Sequence, residues 1–377
     1  MPIQKSGSIS TTDIANEFGY SLGSTNGMKI GDYRGQNFTN SNNNSVRIPT
    51  SEDVPTSGPI KFSDFYGGRL TFVVDYFSGP GENKPQDAYT RFDNQVQKTV
   101  VSGFKQVTSN NTAGKRVVIL VNKDIGSDKT TTDSCALRTG NSWNSDTVMQ
   151  VLLGPDGEVL GAGGDGGNQQ TGTSGLGVQF EGVASTAAPA GATSVVIQSG
   201  GRIAGGGGGG GSGGSAWAEE RTFGNGRQCA AGRGGGGGGA GLPTGIGAAG
   251  GGSSGSSRNF SRGPTRNATS GGNGNTTTGV GGAGGEGGFA HTGADSRRYA
   301  YCYGGDGGNG GNFGSPGTDG ANATLGGDYE RRESGTNARL RGGAGGAAIR
   351  RTVTTIVITN LGPPSQLVGD TTATGIT

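Results

Sequence analysis

The chain holds a single histidine, so few side chains could carry out acid–base or nucleophilic chemistry. His291 lies in a polar segment beside Thr292 and Gly293. A Ser-His-Asp or Cys-His catalytic group needs a nucleophile and its base close together, and one histidine among scattered thiols gives no such pairing. The sequence therefore predicts no catalytic residues and a protein that is not an enzyme.

Three acidic residues, Asp165, Glu286 and Asp306, each stand inside a Gly-Gly-acid-Gly-Gly segment. Calcium β-roll repeats follow their aspartate with an apolar residue at a fixed spacing that these segments lack. A phosphate-binding Walker loop needs Gly-Lys-Ser/Thr, and no lysine follows Lys129. We therefore expect no metal and no cofactor, and we interpret the three acids as solvent-facing side chains on glycine segments.

The three cysteines, Cys135, Cys229 and Cys302, are an odd number at wide spacing. This pattern is typical of neither a disulfide framework nor a metal site. It predicts free thiols in a protein made in a reducing cytoplasm.

Aromatic and arginine side chains are concentrated in short segments between the glycine runs. These residue types supply rigid contact area and directional hydrogen bonds, which is the chemistry of recognition surfaces. The alternative is that they only pack against the glycine segments beside them. The candidate receptor-contact residues are Trp217, Phe260, Arg297, Arg298, Tyr299, Tyr301 and Tyr303.

A scaffold for these segments must come from residues 201–350, which contain 54 of the 85 glycines. Large apolar residues are too few there for an ordinary core, so the region is either disordered or ordered by its backbone. Polyproline II chains have three residues per turn and unpaired backbone groups, and glycine lets such chains approach closely enough to bond. Small-residue triplets in 281–288 and 304–311 favour a layered bundle of polyglycine II helices. A strand predicted near 355–362 would close this layer.

Residues 69–153 show the alternating pattern of β-strands, at 70–77, 96–104, 116–121 and 148–153. This pattern predicts a mainly β fold with a β-sandwich-like or β-prism domain. An internal repeat links this part to the glycine region, because the segment from Val151 recurs from Val195. Each copy is a strand, a turn, a short apolar segment and a glycine run.

The first 68 residues contain another repeat, in which 28–35 aligns without gaps on 60–67 and 6–14 is a looser copy. Each copy is expected to lead into an Asp-containing turn, and Ser10 or Thr11 is expected to cap a short helix that stops at Gly19. So small a module has little core of its own, so we expect it to dock onto a neighbour or oligomerise. Its candidate attachment residues are Phe62, Phe65 and Tyr66.

Four parts are therefore predicted: 1–68 as an attachment module, 69–200 as a β domain, 201–350 as a glycine-rich domain, and 351–377 as a C-terminal strand and tail. The formal net charge of +2 gives no field suited to nucleic acid. No secretion signal or stretch of 18 apolar residues is found, so no membrane insertion is expected.

The N-terminal repeat, ending in Ile60-Lys61-Phe62-Ser63-Asp64-Phe65-Tyr66-Gly67-Gly68, resembles a module at the start of tailed-bacteriophage virion proteins, especially fibre-like proteins of cyanobacterial and marine phages. The alternation of glycine runs with variable segments over about 155–350 is similar to the receptor-binding adhesins of T-even-like phages. Those adhesins carry layered polyglycine II helices whose loops choose the host. Unlike them, this chain has its own N-terminal module and β domain.

The resemblance implies a non-enzymatic virion protein, made in the host cytoplasm, that is a fibre or spike with its glycine-rich part facing outward. Implied partners are other virion proteins, further copies of the chain in an oligomer such as a trimer, and a host polysaccharide or outer-membrane protein. Two alternatives remain open at this point. One is a capsid or neck decoration protein with a purely structural role, and the other is an ice- or glycan-binding glycine-rich protein.

Overall fold

The computed structural model describes residues 3–18, 30–40, 42–76, 86–88, 98–101, 111–128, 134–181, 193–222, 225–257, 265–291, 301–326, 331–353 and 355–376. The mainly β prediction is confirmed. Helical structure in these ranges consists of α1 (Thr11–Phe18) and three 3-10 turns, at Ile30–Arg34, Phe62–Phe65 and Pro364–Gln366. No helix in the described ranges is long and apolar enough to cross a membrane.

Most strands are short. In chain order they are β1 (Gln36–Thr39), β2 (Ser45–Ile48), β3 (Thr71–Tyr76), β4 (Gln86–Asp87), β5 (Lys98–Val101), β6 (Arg116–Val121), β7 (Asp124–Gly126), β8 (Cys135–Arg138), β9 (Val148–Leu153), β10 (Glu158–Leu160), β11 (Ser174–Val178), β12 (Thr193–Ile197), β13 (Arg202–Ala204), β14 (Ala216–Thr222), β15 (Asn225–Ala231), β16 (Ser254–Ser257), β17 (Thr265–Arg266), β18 (Phe289–His291), β19 (Tyr301–Tyr303), β20 (Thr324–Gly326), β21 (Arg331–Thr336), β22 (Ile349–Arg351), β23 (Ile356–Asn360), β24 (Leu367–Val368) and β25 (Ala373–Thr374).

Three of the sheets form a solenoid in which successive turns of the chain stack on one another. Their strand orders are β23-β12-β9-β6-β3-β5, β24-β13-β10-β7 and β25-β22-β11-β8-β4. From β6 onward the chain visits the three sheets in turn, and neighbouring turns pair in parallel. The β-sandwich-like arrangement expected here is therefore replaced by a parallel solenoid. Alternation along a strand indicates which face is buried, but it does not indicate the pairing partner or its direction.

The interior of the solenoid is filled by aliphatic side chains from all three sheets. Val151 stacks between Ile119 and Val195 in register, and Val159 lies beside Ile203 on the next sheet. All of these side chains are fully buried in one cluster. The repeat found in the sequence therefore corresponds to two adjacent turns, since Val151 and Val195 are paired neighbours. The strand expected near 355–362 is β23, which pairs in parallel with β12.

The N-terminal module packs against this solenoid and also has a core of its own. The β1–β2 hairpin places Phe38, Val46 and Ile48 on the outer face of the first solenoid sheet, against Val118 and Leu120. Helix α1 begins where predicted, because the hydroxyl of Ser10 accepts a hydrogen bond from the N–H of Asp13 at 3.2 Å. The remaining elements bury an internal core of Ile3, Ile14, Phe18, Tyr33, Val54, Phe65 and Leu70.

The glycine-rich region leaves the solenoid between β13 and β22 and forms a lattice of extended segments joined by backbone hydrogen bonds. Segment 205–214 lies inside this lattice. Every third backbone N–H group of the segment donates to the same neighbouring segment. The N–H groups of Gly207, Gly210 and Gly213 donate to the carbonyls of Ala240, Gly237 and Gly234. Those of Gly208, Gly211 and Gly214 donate to Ser315, Thr318 and Ala321. One segment thereby contacts several neighbours around its axis.

Close approach explains why these positions are glycine. A Cβ atom added at Gly208 would lie 2.0 Å from the carbonyl oxygen of Gly343, and one at Gly237 would lie 2.0 Å from that of Gly282. Some segments also carry polar side chains on their outward faces. There they accept hydrogen bonds that no backbone reaches: the N–H groups of Gly281, Gly284 and Gly287 donate to the side-chain oxygens of Asn312, Asn309 and Asp306.

Candidate functional site

Where the glycine segments run on past the lattice, they become two antiparallel four-stranded sheets, which we call the tip. The strand order is β16-β15-β14-β21 in the first tip sheet and β17-β18-β19-β20 in the second. Strand β14 continues directly from segment 205–214, and β15 leads back into segment 232–240. The tip sheets are thus joined to the lattice by continuous backbone.

The two tip sheets face each other across a layer of very small side chains. Ala216, Ala218, Cys229 and Ala231 of the first sheet meet Ala290 and Cys302 of the second. Cys229 and Cys302 form a disulfide bond. The expectation of free thiols is therefore wrong for these two cysteines, because strand pairing brings together residues that are 73 positions apart in sequence. Cys135 lies buried in β8 of the solenoid.

The outward face of the first tip sheet presents Trp217, whose side chain is 41% exposed. Trp217 is paired with Gly335 on β21. A Cβ atom at Gly335 would lie 2.8 Å from the indole Nε1, so the ring covers the glycine. The absence of a side chain at 335 lets the indole lie across the neighbouring strand.

The outward face of the second tip sheet carries three aromatic rings that touch one another. Phe289 and Tyr303 are paired across β18 and β19, with ring centroids 4.9 Å apart, and Tyr301 and Tyr303 are 5.3 Å apart. Tyr303 is 43% exposed. Tyr301 covers Gly326, where an added Cβ atom would lie 2.2 Å from its ring. His291 lies on the same face, 6.5 Å from Phe289.

Of the candidate receptor-contact residues, the structure places Trp217 on one tip sheet and Tyr301 and Tyr303 on the other. Phe260, Arg297, Arg298 and Tyr299 lie outside the described residues. Phe289 was missed, although Phe-Ala-His and Tyr-Cys-Tyr both alternate large and small residues. That alternation could have predicted strands with one aromatic face.

Strand pairing also sets which strand ends lie beside each other within each tip sheet. In the first sheet Thr222 is paired with Asn225 and Arg227 with Ser257, and in the second sheet Tyr301 is paired with both His291 and Gly326.

The candidate attachment residues differ in their surroundings. Phe65 is fully buried in the core of the module, 5.1 Å from Tyr33 between ring centroids. Phe62 is 49% exposed. Tyr66 is half-buried, and its hydroxyl donates to the carbonyl of Gly7. Of the three, Phe62 has the side chain most available to a partner.

The three acids in glycine segments have structural partners. Asp165 accepts from the N–H of Ile246 at 2.7 Å, and Asp306 accepts from Gly287 at 2.7 Å. Glu286 pairs with Arg266 at 2.8 Å. Within the described part of the chain, no group of three or more His, Cys, Asp or Glu side chains could hold a metal ion.

A polar cleft lies where the lattice meets the solenoid, and Arg202 occupies it. Its guanidinium group lies 2.9 Å from the carboxylate of Glu158 and 4.8 Å from the ring centroid of Phe313. Burial raises the pKa of Asp124, which is paired with Glu158 on the second solenoid sheet, and the charge of Glu158 adds to the effect. These contacts join Phe313 of the lattice to two strands of the solenoid, so we interpret the cleft as a structural junction.

A solenoid that carries a hydrogen-bonded glycine lattice and ends in exposed aromatic faces has the architecture of a binding appendage. Comparison with known families agrees with this class. The family model of the phage tail fibre adhesin Gp38 matches residues 90–372, and the chain belongs to this family. No curated protein and no solved structure matches the chain. The protein is therefore a phage tail fibre protein of the adhesin type, and its place is the virion.

Proposed function

We propose that this chain is a non-enzymatic adhesin that attaches to the phage particle through residues 1–68 and recognises the host surface with its tip. The observation that carries the proposal is the position of the exposed aromatic side chains. Trp217, Tyr301 and Tyr303 lie on outward faces of sheets that the glycine lattice holds away from the solenoid. Exposed aromatic clusters of this kind are typical of binding sites.

The glycine lattice is proposed to be a bundle of polyglycine II helices that makes this arm stiff. The pattern of hydrogen-bond partners repeats every three residues, which supports the assignment because polyproline II chains have three residues per turn. Residues 201–350 would then be the recognition domain, and residues 69–200 with the C-terminal strands of 351–377 its base. Phe260, Arg297, Arg298 and Tyr299 are proposed to add to recognition.

The partners proposed for the two ends differ in kind. The outer end would bind a host polysaccharide or an outer-membrane protein. At the inner end, the module of cyanophage and marine-phage type would bind another virion protein, in an oligomer such as a trimer. Among its candidate residues, Phe62 offers an exposed ring, while Phe65 supports it from the core.

Competition for host cells tests the outer end. Purified chain added before infection should block the adsorption of wild-type particles. The Trp217→Ala variant of the chain should block adsorption less. If saturating chain left adsorption unchanged while particles still carried the protein, a purely structural fibre or decoration role would be the better assignment.

Particle incorporation tests the inner end, and the repeat supplies a matched control. Phe62 and Ile30 occupy equivalent positions of the two repeat copies, and both are exposed, at 49% and 46%. Phe62→Ala should lower the amount of chain in purified particles, whereas Ile30→Ala should not. Equal incorporation of both variants would contradict attachment through Phe62.

A further inference from the structure

The disulfide between Cys229 and Cys302 connects the two tip sheets. Cys229 lies on β15, in the middle of the first sheet, and Cys302 lies on β19, in the middle of the second. Both side chains are buried, with exposures of 2% and 0%. The bond therefore crosses the interface at its centre.

Without this bond the interface would be weak, because the layer around it consists of alanines. Ala216, Ala218, Ala231 and Ala290 supply most of the remaining buried apolar contacts, with Ala323 and Leu325 at the margin. Hydrophobic stabilisation grows with buried apolar area, and alanine has little to bury. The spacing of the two sheets, and hence of their outward aromatic faces, depends on the cysteine pair.

The place of synthesis and the disulfide point to different oxidation states of this pair. Virion proteins of a bacteriophage are synthesised and assembled in the host cytoplasm, where thiols are kept reduced. The structure nevertheless brings Cys229 and Cys302 within bonding distance. We propose that these cysteines are a modification site: they stay a dithiol during assembly and become a disulfide after the particle leaves the cell.

The chemistry needs only a small oxidant, which we take to be dissolved dioxygen. Each thiol loses one proton and one electron, a sulfur–sulfur bond forms, and dioxygen takes up both protons and both electrons to give hydrogen peroxide. A bulky disulfide such as oxidised glutathione cannot reach two buried sulfurs unless the sheets separate. Dioxygen is small enough to reach them in the folded tip.

The folded tip also accommodates the dithiol. Sγ of Cys302 lies 3.3 Å from the carbonyl oxygen of Cys229, which can accept the thiol proton before oxidation. Within each sheet the strands pair through backbone hydrogen bonds that do not involve the cysteine side chains, so assembly can precede oxidation. Oxidation then fixes two sheets that are already in register.

Thiol trapping tests the timing directly. Infected cells and released particles are each quenched with acid, denatured and alkylated with N-ethylmaleimide, and the cysteine peptides are analysed by mass spectrometry. All three cysteines should be alkylated in chains from inside cells, and only Cys135 in chains from released particles. A Cys229–Cys302 bond already present inside cells, or full alkylation in released particles, would overturn the proposal.

Protease resistance tests the role of the bond. The double variant Cys229→Ala/Cys302→Ala matches the alanines around it, and Cys135→Ala controls for loss of a buried cysteine elsewhere. Digestion within residues 216–336 should be at least about tenfold faster in the double variant than in wild type or the control. An unchanged rate would show that the bond does not hold the sheets. Neither measurement depends on host binding, so failure of adsorption would contradict the proposed function and leave this inference standing.

Discussion

The carboxylate of Glu17 and the ammonium group of Lys115 lie 2.7 Å apart and join helix α1 to the solenoid. Glu17 also accepts a hydrogen bond from the N–H of Leu70 at 3.0 Å. The Glu17 side chain is 4% exposed and that of Lys115 is 16% exposed. This pair joins the N-terminal module to the solenoid at a largely buried position.

Replacing one partner of this pair should destabilise the chain. Glu17→Gln keeps an acceptor for Leu70 but leaves the Lys115 ammonium group without its carboxylate, at a cost of about 3 kcal/mol. The double variant Glu17→Gln/Lys115→Met should regain much of the loss. Urea unfolding measures both, with Glu286→Gln as the control. Its partner Arg266 and Glu286 itself are 61% and 66% exposed, so that change should cost below about 1 kcal/mol. Equal losses would contradict the argument.

Two glycines of the lattice should respond differently to the same substitution. The Cβ atom of Gly208→Ala would lie 2.0 Å from the carbonyl oxygen of Gly343, whereas that of Gly272→Ala would find its nearest atom at 3.5 Å. Gly208→Ala should cost about 1–3 kcal/mol or more, and Gly208→Val should prevent folding of the lattice. Gly272→Ala should be close to neutral. Thermal unfolding compares them, and similar midpoints would argue against a packed lattice.

The contact between the β1–β2 loop and the solenoid should depend on pH. Side-chain amides of Asn44, Asn40 and Asn42 donate to the carboxylate of Asp156 and hold its pKa below the ordinary value. A group whose pKa is lower in the folded state stabilises fully above its unfolded pKa, about 3.9, and loses that contribution as pH falls through the folded value. Wild type should therefore lose this contribution to its stability as the pH falls below about 4.

Variants of Asn44 and Asn42 isolate the contribution of Asp156 to the acid dependence. The Asn44 amide lies 2.6 Å from Asp156 and that of Asn42 lies 3.3 Å away. Asn44→Ala should flatten the acid limb of a stability profile more than Asn42→Ala, because the shorter hydrogen bond lowers the pKa more. Profiles that run parallel to wild type in both variants would exclude Asp156 as a source of the acid dependence.

The sequence repeat predicted the N-terminal turns well because its residues have local roles. Asp13 and Asp64 occupy equivalent positions, and each accepts a hydrogen bond from the backbone N–H three residues earlier at 2.8 Å. Tyr33 and Phe65 are also equivalent, and both are buried in one core. The parallel pairing of β9 with β12 and the disulfide depend on contacts between distant residues. Local patterns carry no information on such pairings, so the solenoid and the bond could not be predicted.

The candidate site was predicted in part for the same reason. Composition pointed to Trp217, Tyr301 and Tyr303 because aromatic residues are concentrated in the segments between glycine runs. It could not show that Phe289 completes a cluster with Tyr303 across two strands, since this depends on the pairing of β18 with β19. Nor could it show that Phe65 faces the core while Phe62 faces solvent.

Truncating the exposed aromatic side chains of the tip should weaken adsorption to host cells without unfolding the chain. Trp217→Ala and Tyr303→Ala each remove a ring that is 41% or 43% exposed. If either is an anchor, the loss should be about 2 kcal/mol, or roughly thirtyfold in affinity. Tyr303→Phe keeps the ring beside Phe289 and should retain most of the binding if stacking dominates.

The controls for this experiment are apolar residues exposed away from the tip sheets. Ile246 and Val280 lie in the lattice and are 59% and 50% exposed, so Ile246→Ala and Val280→Ala should adsorb as wild type does. Melting temperatures of all variants separate lost contacts from lost structure, because exposed side chains contribute little to the core. Should Trp217→Ala and Tyr303→Ala adsorb like these controls at equal incorporation, the outward faces of the tip would not be the binding surface. The candidates that remained for recognition would then be Phe260, Arg297, Arg298 and Tyr299.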